Sequence, residues 1–123
     1  MDKTGTKMKI TVDVLEQYLS QRYEGRVTEQ ALFLKLIEEM GEVAEIINMR
    51  SGSKKAFDAD LQKELGTELW DMIHYIVAIA AINHIDLTSV ILEKDKKASA
   101  KYHHDVNLET FISKLEDEKI PTD

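Results

Sequence analysis

The sequence has no cysteine, a single proline and only five glycines among its 123 residues. Without cysteine, neither a disulfide framework nor a thiolate metal site can form. Proline and glycine are the residues that most often interrupt helices, and both are scarce here while apolar residues recur in long periodic runs. This combination predicts an all-α fold. The length is enough for one domain with a modest core.

The sequence also lacks an excess of basic residues, and its first residues, MDKTGTKMK, contain no apolar signal core. Its net charge of -7 disfavours a nucleic-acid backbone as partner, although a small phosphorylated ligand held through metal remains compatible. The most apolar run, residues 72–82, is interrupted by His74 and is shorter than the ~20 residues that cross a bilayer. We therefore expect no nucleic-acid partner, no membrane partner and a cytoplasmic location.

Hydrophobic periodicity predicts four to five helices in one domain over residues 11–118, between a flexible arm at 1–10 and a tail at 119–123. Capping residues set the expected starts of the helices. The expected spans are 11–23, 28–50, 58–84, 87–103 and 108–118, to within a few residues at each end.

The two longest expected helices, the second and the third, carry acids where core residues are expected. Glu39 and Glu68 fall inside the apolar stripes of their helices, Asp71 has apolar neighbours, and Glu42 lies on a stripe edge. Each pair, Glu39 with Glu42 and Glu68 with Asp71, has i,i+3 spacing, which puts its carboxylates on one helix face. Glutamate is rarely buried without a partner, so acids inside the apolar stripes of two helices indicate that something binds them.

A divalent cation is the partner that fits them. Four carboxylates that share a site repel one another, which raises pKa values or prevents folding unless a cation neutralises them. Magnesium prefers oxygen ligands and keeps open positions for water and substrate phosphates. We therefore expect the two pairs to face each other and to hold Mg²⁺, with Mn²⁺ as a substitute.

Other readings of these residues are weaker. A single Glu-x-x-Glu pair is common on solvated helix faces, and only the pairing on two successive helices favours metal. Di-iron bundles use Glu-x-x-His on two helices, whereas only Asp71 and His74 approach that spacing here. His74 is better interpreted as a core histidine whose ring has a hydrogen-bond partner. No Ser-His-Asp motif or glycine-rich phosphate loop occurs in the sequence.

The acid pattern Glu38-Glu39-x-x-Glu42, followed after 25 residues by Glu68-x-x-Asp71, resembles the motif of the MazG-like all-α nucleoside triphosphate pyrophosphohydrolases. The surrounding segments, IEEMGEVAEIIN and ELWDMIHYIVAIAAINHIDL, are similar to the two metal helices of that family. The resemblance covers about residues 28–102. It implies Mg²⁺-dependent hydrolysis of (d)NTPs to the monophosphate and pyrophosphate, with Mn²⁺ also used, in homodimers or homotetramers whose bundles combine helices of different subunits.

The resemblance also implies roles for individual residues. Four acids match the metal ligands, Glu38 and Glu39 are the expected catalytic acids, and a basic helix is expected to bind the substrate. The metal set is Glu39, Glu42, Glu68 and Asp71, and the substrate set is Lys94, Lys97, Lys101 and Tyr102. The family often has an asparagine on this basic helix, but Ala98 stands there, which puts any amide contact to the sugar or phosphate in doubt.

Two alternatives remain open at this point. Within the same superfamily, the chain could be a phosphoribosyl-ATP or dUTP pyrophosphohydrolase, because the sequence does not place the residues that select the base. From a different class, it could be a non-catalytic helical module whose acids bind a structural ion or a basic partner. Pyrophosphate release from nucleotides would separate an enzyme from such a module.

Overall fold

The structure, a computed structural model, describes residues 8–52 and 59–119. Five α-helices and no strand occur among them, which confirms the all-α prediction. They are α1 (Val12–Tyr23), α2 (Glu29–Ser51), α3 (Ala59–Ile82), α4 (Leu87–Lys101) and α5 (Leu108–Lys119). Most of the expected arm, the loop between α2 and α3 and the end of the tail lie outside the described residues. The chain divides into two compact units, residues 1–85 and 86–123, which are described separately.

Side-chain caps fix the starts of α1 and α2, as the sequence predicts. The Thr11 hydroxyl accepts a hydrogen bond from the backbone N–H of Val14, and the Thr28 hydroxyl accepts one from that of Ala31. Each cap satisfies a backbone donor that the first helical turn leaves without a partner. Between the two helices, Gly25 has a φ of 77°, a left-handed conformation that costs glycine little.

α3 is the central element of the first unit, because it packs against both α1 and α2. The buried residues of this unit come from all three helices and are mostly aliphatic. They are Leu19, Leu32, Val43, Ile46, Val77, Ala78, Ala80 and Ala81. Asn83, just beyond α3, donates a hydrogen bond of 2.8 Å to Glu29 at the start of α2. This bond joins opposite ends of the two helices, so α2 and α3 run antiparallel.

Two helices end earlier than the sequence predicts, and a histidine terminates each of them. His84 and His103 have φ values of 56° and 58°. After α3, the His84 N–H donates to the Ala81 carbonyl and the Ile85 N–H donates to the Ala80 carbonyl. This is the Schellman pattern, in which a left-handed residue closes the last turn. The expected ends at 84 and 103 are therefore each two residues too late.

The length and hydropathy of α3 meet the criteria for crossing a membrane, with a mean hydropathy of 1.3 over 18 residues. The apolar part of this helix is therefore longer than the run at 72–82 indicates. The central helix of a helical core passes the same test, and α3 carries Glu68 and Asp71 and packs against two other helices. Length and hydropathy alone thus give weak evidence for a membrane span.

The second unit consists of α4 and α5. Asp86 caps α4 and accepts hydrogen bonds from both the N–H and the hydroxyl of Ser89. Two side chains cap the start of α5. Asn107 Oδ1 accepts a hydrogen bond from the Thr110 N–H, and Asp95 Oδ2 accepts one from the Leu108 N–H at 2.6 Å. The Asp95 contact links α4 to the first turn of α5, where the helix dipole favours a negative charge.

Candidate active site

Three of the predicted acids converge where α2 passes α3. One carboxylate oxygen from each of Glu39, Glu42 and Glu68 lies within 4.8 Å of the other two. Glu39 and Glu68 are half-buried and Glu42 is exposed, so the cluster has one side open to solvent. The prediction that acids from the two long helices face each other is confirmed for these three residues.

The environment of Glu68 opposes its negative charge. A hydrogen-bonding contact with Glu39, partial burial and the nearby charges of Glu42, Glu39 and Asp71 raise the pKa of Glu68 to about 7. In addition, Glu68 Oε1 is shielded from solvent, and no N–H or O–H among the described residues donates to it. A shielded oxygen of this kind normally has a hydrogen-bond donor or a cation as partner.

These features fit a divalent cation. A carboxylate oxygen without a donor, acid oxygens of two further residues within 4.8 Å of one another and of Glu68, and an open side make an all-oxygen donor set of the kind that Mg²⁺ or Mn²⁺ prefers. Nitrogen and sulfur ligands are absent from the three-residue cluster, which favours hard cations over zinc. The site can therefore hold a metal and leave positions for water or phosphate oxygens.

The other two predicted acids lie outside this three-oxygen cluster. Asp71 is close enough for its charge to act on Glu68, and it is half-buried one turn further along α3. Glu38 is exposed, and its carboxylate lies 3.6 Å from Lys35 Nζ on the same helix. The predicted role of Asp71 as the fourth metal ligand and that of Glu38 as a catalytic acid therefore remain predictions. Of the two, the position of Asp71 supports its predicted role better.

Metal-free stability should depend on pH through Glu68. Its folded-state pKa of about 7 lies above the ordinary value of 4.5, so between these values the folded protein holds more protons than the unfolded chain. Stability therefore falls as the pH rises from about 4.5 to about 7. Chemical denaturation with chelator present measures this, and Glu68→Gln should flatten the slope. A parent protein whose metal-free stability rises over that interval would contradict the prediction.

A group of aromatic rings lies between α1 and α3 near these acids. His74 Nε2 is 2.7 Å from the Tyr23 hydroxyl, and the rings of Tyr23, Trp70 and Tyr75 each contact the His74 ring edge to face. Burial and the charge of Arg22 lower the pKa of His74. This confirms that His74 is a partly buried histidine with a hydrogen-bonded ring. Its α1 partner, Tyr23, was not predictable from spacing because the two residues are 51 positions apart.

The predicted substrate-binding residues belong to the second unit. Lys94, Lys97 and Lys101 follow one another at intervals of three and four residues, so they share one face of α4. Lys97 Nζ is 3.9 Å from Glu93, and Lys101 Nζ lies 5.4 Å from the centre of the exposed Tyr102 ring. The four residues thus form one basic, partly aromatic strip along α4 and its C-terminal end.

Comparison with protein families gives a match over most of the helical region. Residues 27–106 match the family described as the MazG nucleotide pyrophosphohydrolase domain. The matched segment contains α2, α3 and α4, so it includes every acid of the cluster and the basic strip.

Curated relatives give a similar picture. The uncharacterized protein YpjD of Bacillus subtilis (strain 168) is 31% identical over 87 residues, which are 71% of this chain and 74% of YpjD. The dCTP pyrophosphatase 1 proteins of Rattus norvegicus and Mus musculus are each 38% identical over 66 residues. That segment is 51% of this chain but only 39% of each pyrophosphatase. No solved structure gives a significant match.

Proposed function

Since this chain belongs to the MazG nucleotide pyrophosphohydrolase domain family and is a nucleoside triphosphate pyrophosphohydrolase, we propose that it cleaves (d)NTPs to the monophosphate and pyrophosphate with Mg²⁺. The observation that supports this most is the cluster of Glu39, Glu42 and Glu68 within the family-matched segment. Mn²⁺ is the expected substitute for Mg²⁺. Family membership also favours an enzyme over a non-catalytic helical module.

In this proposal Glu39, Glu42 and Glu68 hold the cation, and Asp71 is the fourth candidate ligand. When bound, the divalent ion neutralises phosphate charge and favours attack by water at phosphorus. Glu39 is better placed than Glu38 to accept the proton of the attacking water. Glu39 lies inside the cluster, whereas Glu38 points its carboxylate at Lys35.

The basic strip of α4 is the proposed site for the triphosphate and the leaving pyrophosphate. Lysine ammonium groups bind phosphate as point charges, and Lys94, Lys97 and Lys101 share one helix face. If they bind the outgoing phosphates, Lys101→Gln should raise KM for a triphosphate, whereas Lys114→Gln on α5 should not. An unchanged KM in the Lys101 variant would remove that lysine from the substrate site.

Isotopic labelling of the products tests the proposed reaction directly. Hydrolysis of dCTP and a panel of other (d)NTPs in H₂¹⁸O with Mg²⁺ should place one ¹⁸O atom in the nucleoside monophosphate, because water attacks the α-phosphorus. Mass spectrometry of both products measures this. Label in pyrophosphate would mean attack at the β-phosphorus, and orthophosphate as the first product would mean a different cleavage. Either result would contradict the proposal.

The same panel addresses the substrate. The two mammalian relatives are named dCTP pyrophosphatases, so dCTP is the first candidate, with other (d)NTPs next. Phosphoribosyl-ATP and dUTP remain the alternatives within the superfamily. We further propose that the enzyme clears surplus or non-standard nucleotides in the cytoplasm as a homo-oligomer. A nucleotide preference of less than about tenfold across the panel would argue against a dedicated single-substrate role.

A further inference from the structure

His74 is a half-buried titratable residue to which the proposed reaction assigns no role. Its Nε2 lies 2.7 Å from the Tyr23 hydroxyl, which is the length of a good hydrogen bond. Burial and the charge of Arg22 lower the pKa of His74, so its ring is neutral at pH 7. A neutral imidazole has one nitrogen that accepts and one that carries a proton. The Tyr23 hydroxyl can therefore donate to Nε2 while Nδ1 holds the ring proton.

This hydrogen bond holds the C-terminal end of α1 on α3. Among the described residues of α1, Leu19 alone is buried, and Tyr23 lies one turn further on, where the helix ends. The chain turns toward α2 directly after Tyr23. In that turn the Arg26 N–H donates to the Tyr23 carbonyl at 2.9 Å, and Gly25 has its left-handed conformation. The position of Tyr23 therefore sets both the end of α1 and the start of the turn.

His74 also lies next to the candidate metal ligands. It follows Asp71 by three residues, so the two side chains are neighbours on one face of α3. The charge of Asp71 acts on the His74 ring. Tyr75 gives a second indication, because burial and the nearby Tyr23 and Glu39 raise its pKa. A hydroxyl that is influenced by both of these residues lies between α1 and the acid cluster. The end of α1 thus borders the site on its Asp71 side.

We propose that His74 is a positioning residue for the hydrolysis, which through its bond to Tyr23 holds the end of α1 in place as one side of the nucleotide site. This inference rests on the proposed function. His74 itself contacts no substrate atom and takes no proton from the attacking water. It acts by fixing, before the nucleotide binds, a segment that would otherwise lose conformational freedom on binding.

A role of this kind differs in its kinetics from catalysis and from a purely structural role. Fixing α1 favours the bound nucleotide and its transition state equally, so loss of the bond should raise KM and leave kcat nearly unchanged. A residue that took part in the chemical step would lower kcat when it is replaced. A bond that only stabilised the fold would change stability and leave both kinetic constants of the folded enzyme unchanged.

Four substitutions separate the hydrogen bond from the bulk of the two side chains. Tyr23→Phe removes the hydroxyl and keeps the ring, and His74→Leu removes the acceptor. His74→Gln keeps a neutral polar group near the position of Nε2, so it can restore the bond. Tyr18→Phe is the matched control, because Tyr18 is exposed on the same helix and its hydroxyl contacts Arg22, 3.3 Å away, rather than a residue of α3. Circular dichroism checks that each variant stays helical, and Tyr23→Phe alone decides if His74→Leu unfolds.

Steady-state pyrophosphate release from the (d)NTP that the full chain cleaves fastest gives KM and kcat for each variant. Tyr23→Phe and His74→Leu should each raise KM about fivefold, the effect of losing one ordinary hydrogen bond, with kcat within about twofold of the parent. The double variant should raise KM no further, because both changes remove the same bond. His74→Gln and Tyr18→Phe should keep the KM of the parent.

The outcomes distinguish this inference from the proposed function. If the parent releases pyrophosphate but neither Tyr23→Phe nor His74→Leu changes KM, His74 is not a positioning residue and the proposed function stands. A loss of kcat with KM unchanged would likewise overturn the inference. A parent that releases no pyrophosphate from any nucleotide of the panel would overturn the proposed function, and the inference with it.

Discussion

Glu68→Gln should abolish Mg²⁺-dependent pyrophosphate release while making the metal-free protein more stable than the parent at pH 8. The substitution removes one ligand from a cluster in which three oxygens lie within 4.8 Å of one another. Loss of groups that only support metal ligands costs 10–100-fold in activity, so loss of a ligand itself should cost at least about 100-fold. Stability rises because the neutral amide no longer repels Glu39 and Glu42, and it can donate a hydrogen bond to them.

Glu45→Gln is the matched control for this experiment. Glu45 lies exposed on α2, outside the cluster, and its substitution makes the same change in charge and size. Turnover and metal-free melting temperature should both stay near the parent values. Glu39→Gln should behave like Glu68→Gln in both measurements. If either cluster variant were less stable than the parent in chelator, repulsion among the carboxylates would not control the stability of the metal-free site.

Mg²⁺ should raise the melting temperature of the parent protein in the absence of nucleotide. A ligand that binds only the folded state stabilises it by mass action, about 1.4 kcal/mol at ten times its Kd. For a chain of this size the shift is roughly 5 °C. The physical cause is relief of the repulsion among the three clustered carboxylates, together with a partner for the shielded Oε1 of Glu68.

The control must separate binding from ionic screening, because the chain carries a net charge of -7. Potassium chloride at the same ionic strength screens that charge but does not bind the cluster. The parent should therefore melt higher in Mg²⁺ than in matched potassium chloride, while Glu68→Gln should lose most of the difference and Glu45→Gln should retain it. Equal melting temperatures of the parent in the two salts would argue against a metal site.

Local chemistry made much of the fold predictable. Thr28 and Asp86 start their helices as expected because a side-chain oxygen close to the first turn satisfies its free N–H groups. The ends at His84 and His103 were not predictable in the same way. Histidine is not a usual helix terminator, and its left-handed conformation here depends on hydrogen bonds closed by the residues that follow.

In the candidate site, too, some residues could be predicted from the sequence and others could not. Acids inside an apolar stripe identified Glu39 and Glu68, because burial of unpaired carboxylates is costly. The hydrophobic periodicity of a helix could not distinguish apolar residues that pack against another helix from apolar residues that remain exposed. Met40 and Ile47 fit the same helical period as Leu32 and Val43, yet they are exposed. Nor could it find the pairing of Tyr23 with His74, which depends on how α1 packs against α3.

The caps at the helix starts have a consequence for how a nucleotide can be recognised. Many proteins hold phosphate groups on the free amides of a helix N-terminus. Here the chain's own oxygens already accept from at least one first-turn N–H of α1, α2, α4 and α5, those oxygens belonging to Thr11, Thr28, Asp86 and the pair Asn107 and Asp95. A phosphate tail would have to compete with these oxygens for the N–H groups that they occupy. Those helix starts therefore offer the tail fewer donors, and the larger share falls to cations, which makes affinity sensitive to ionic strength.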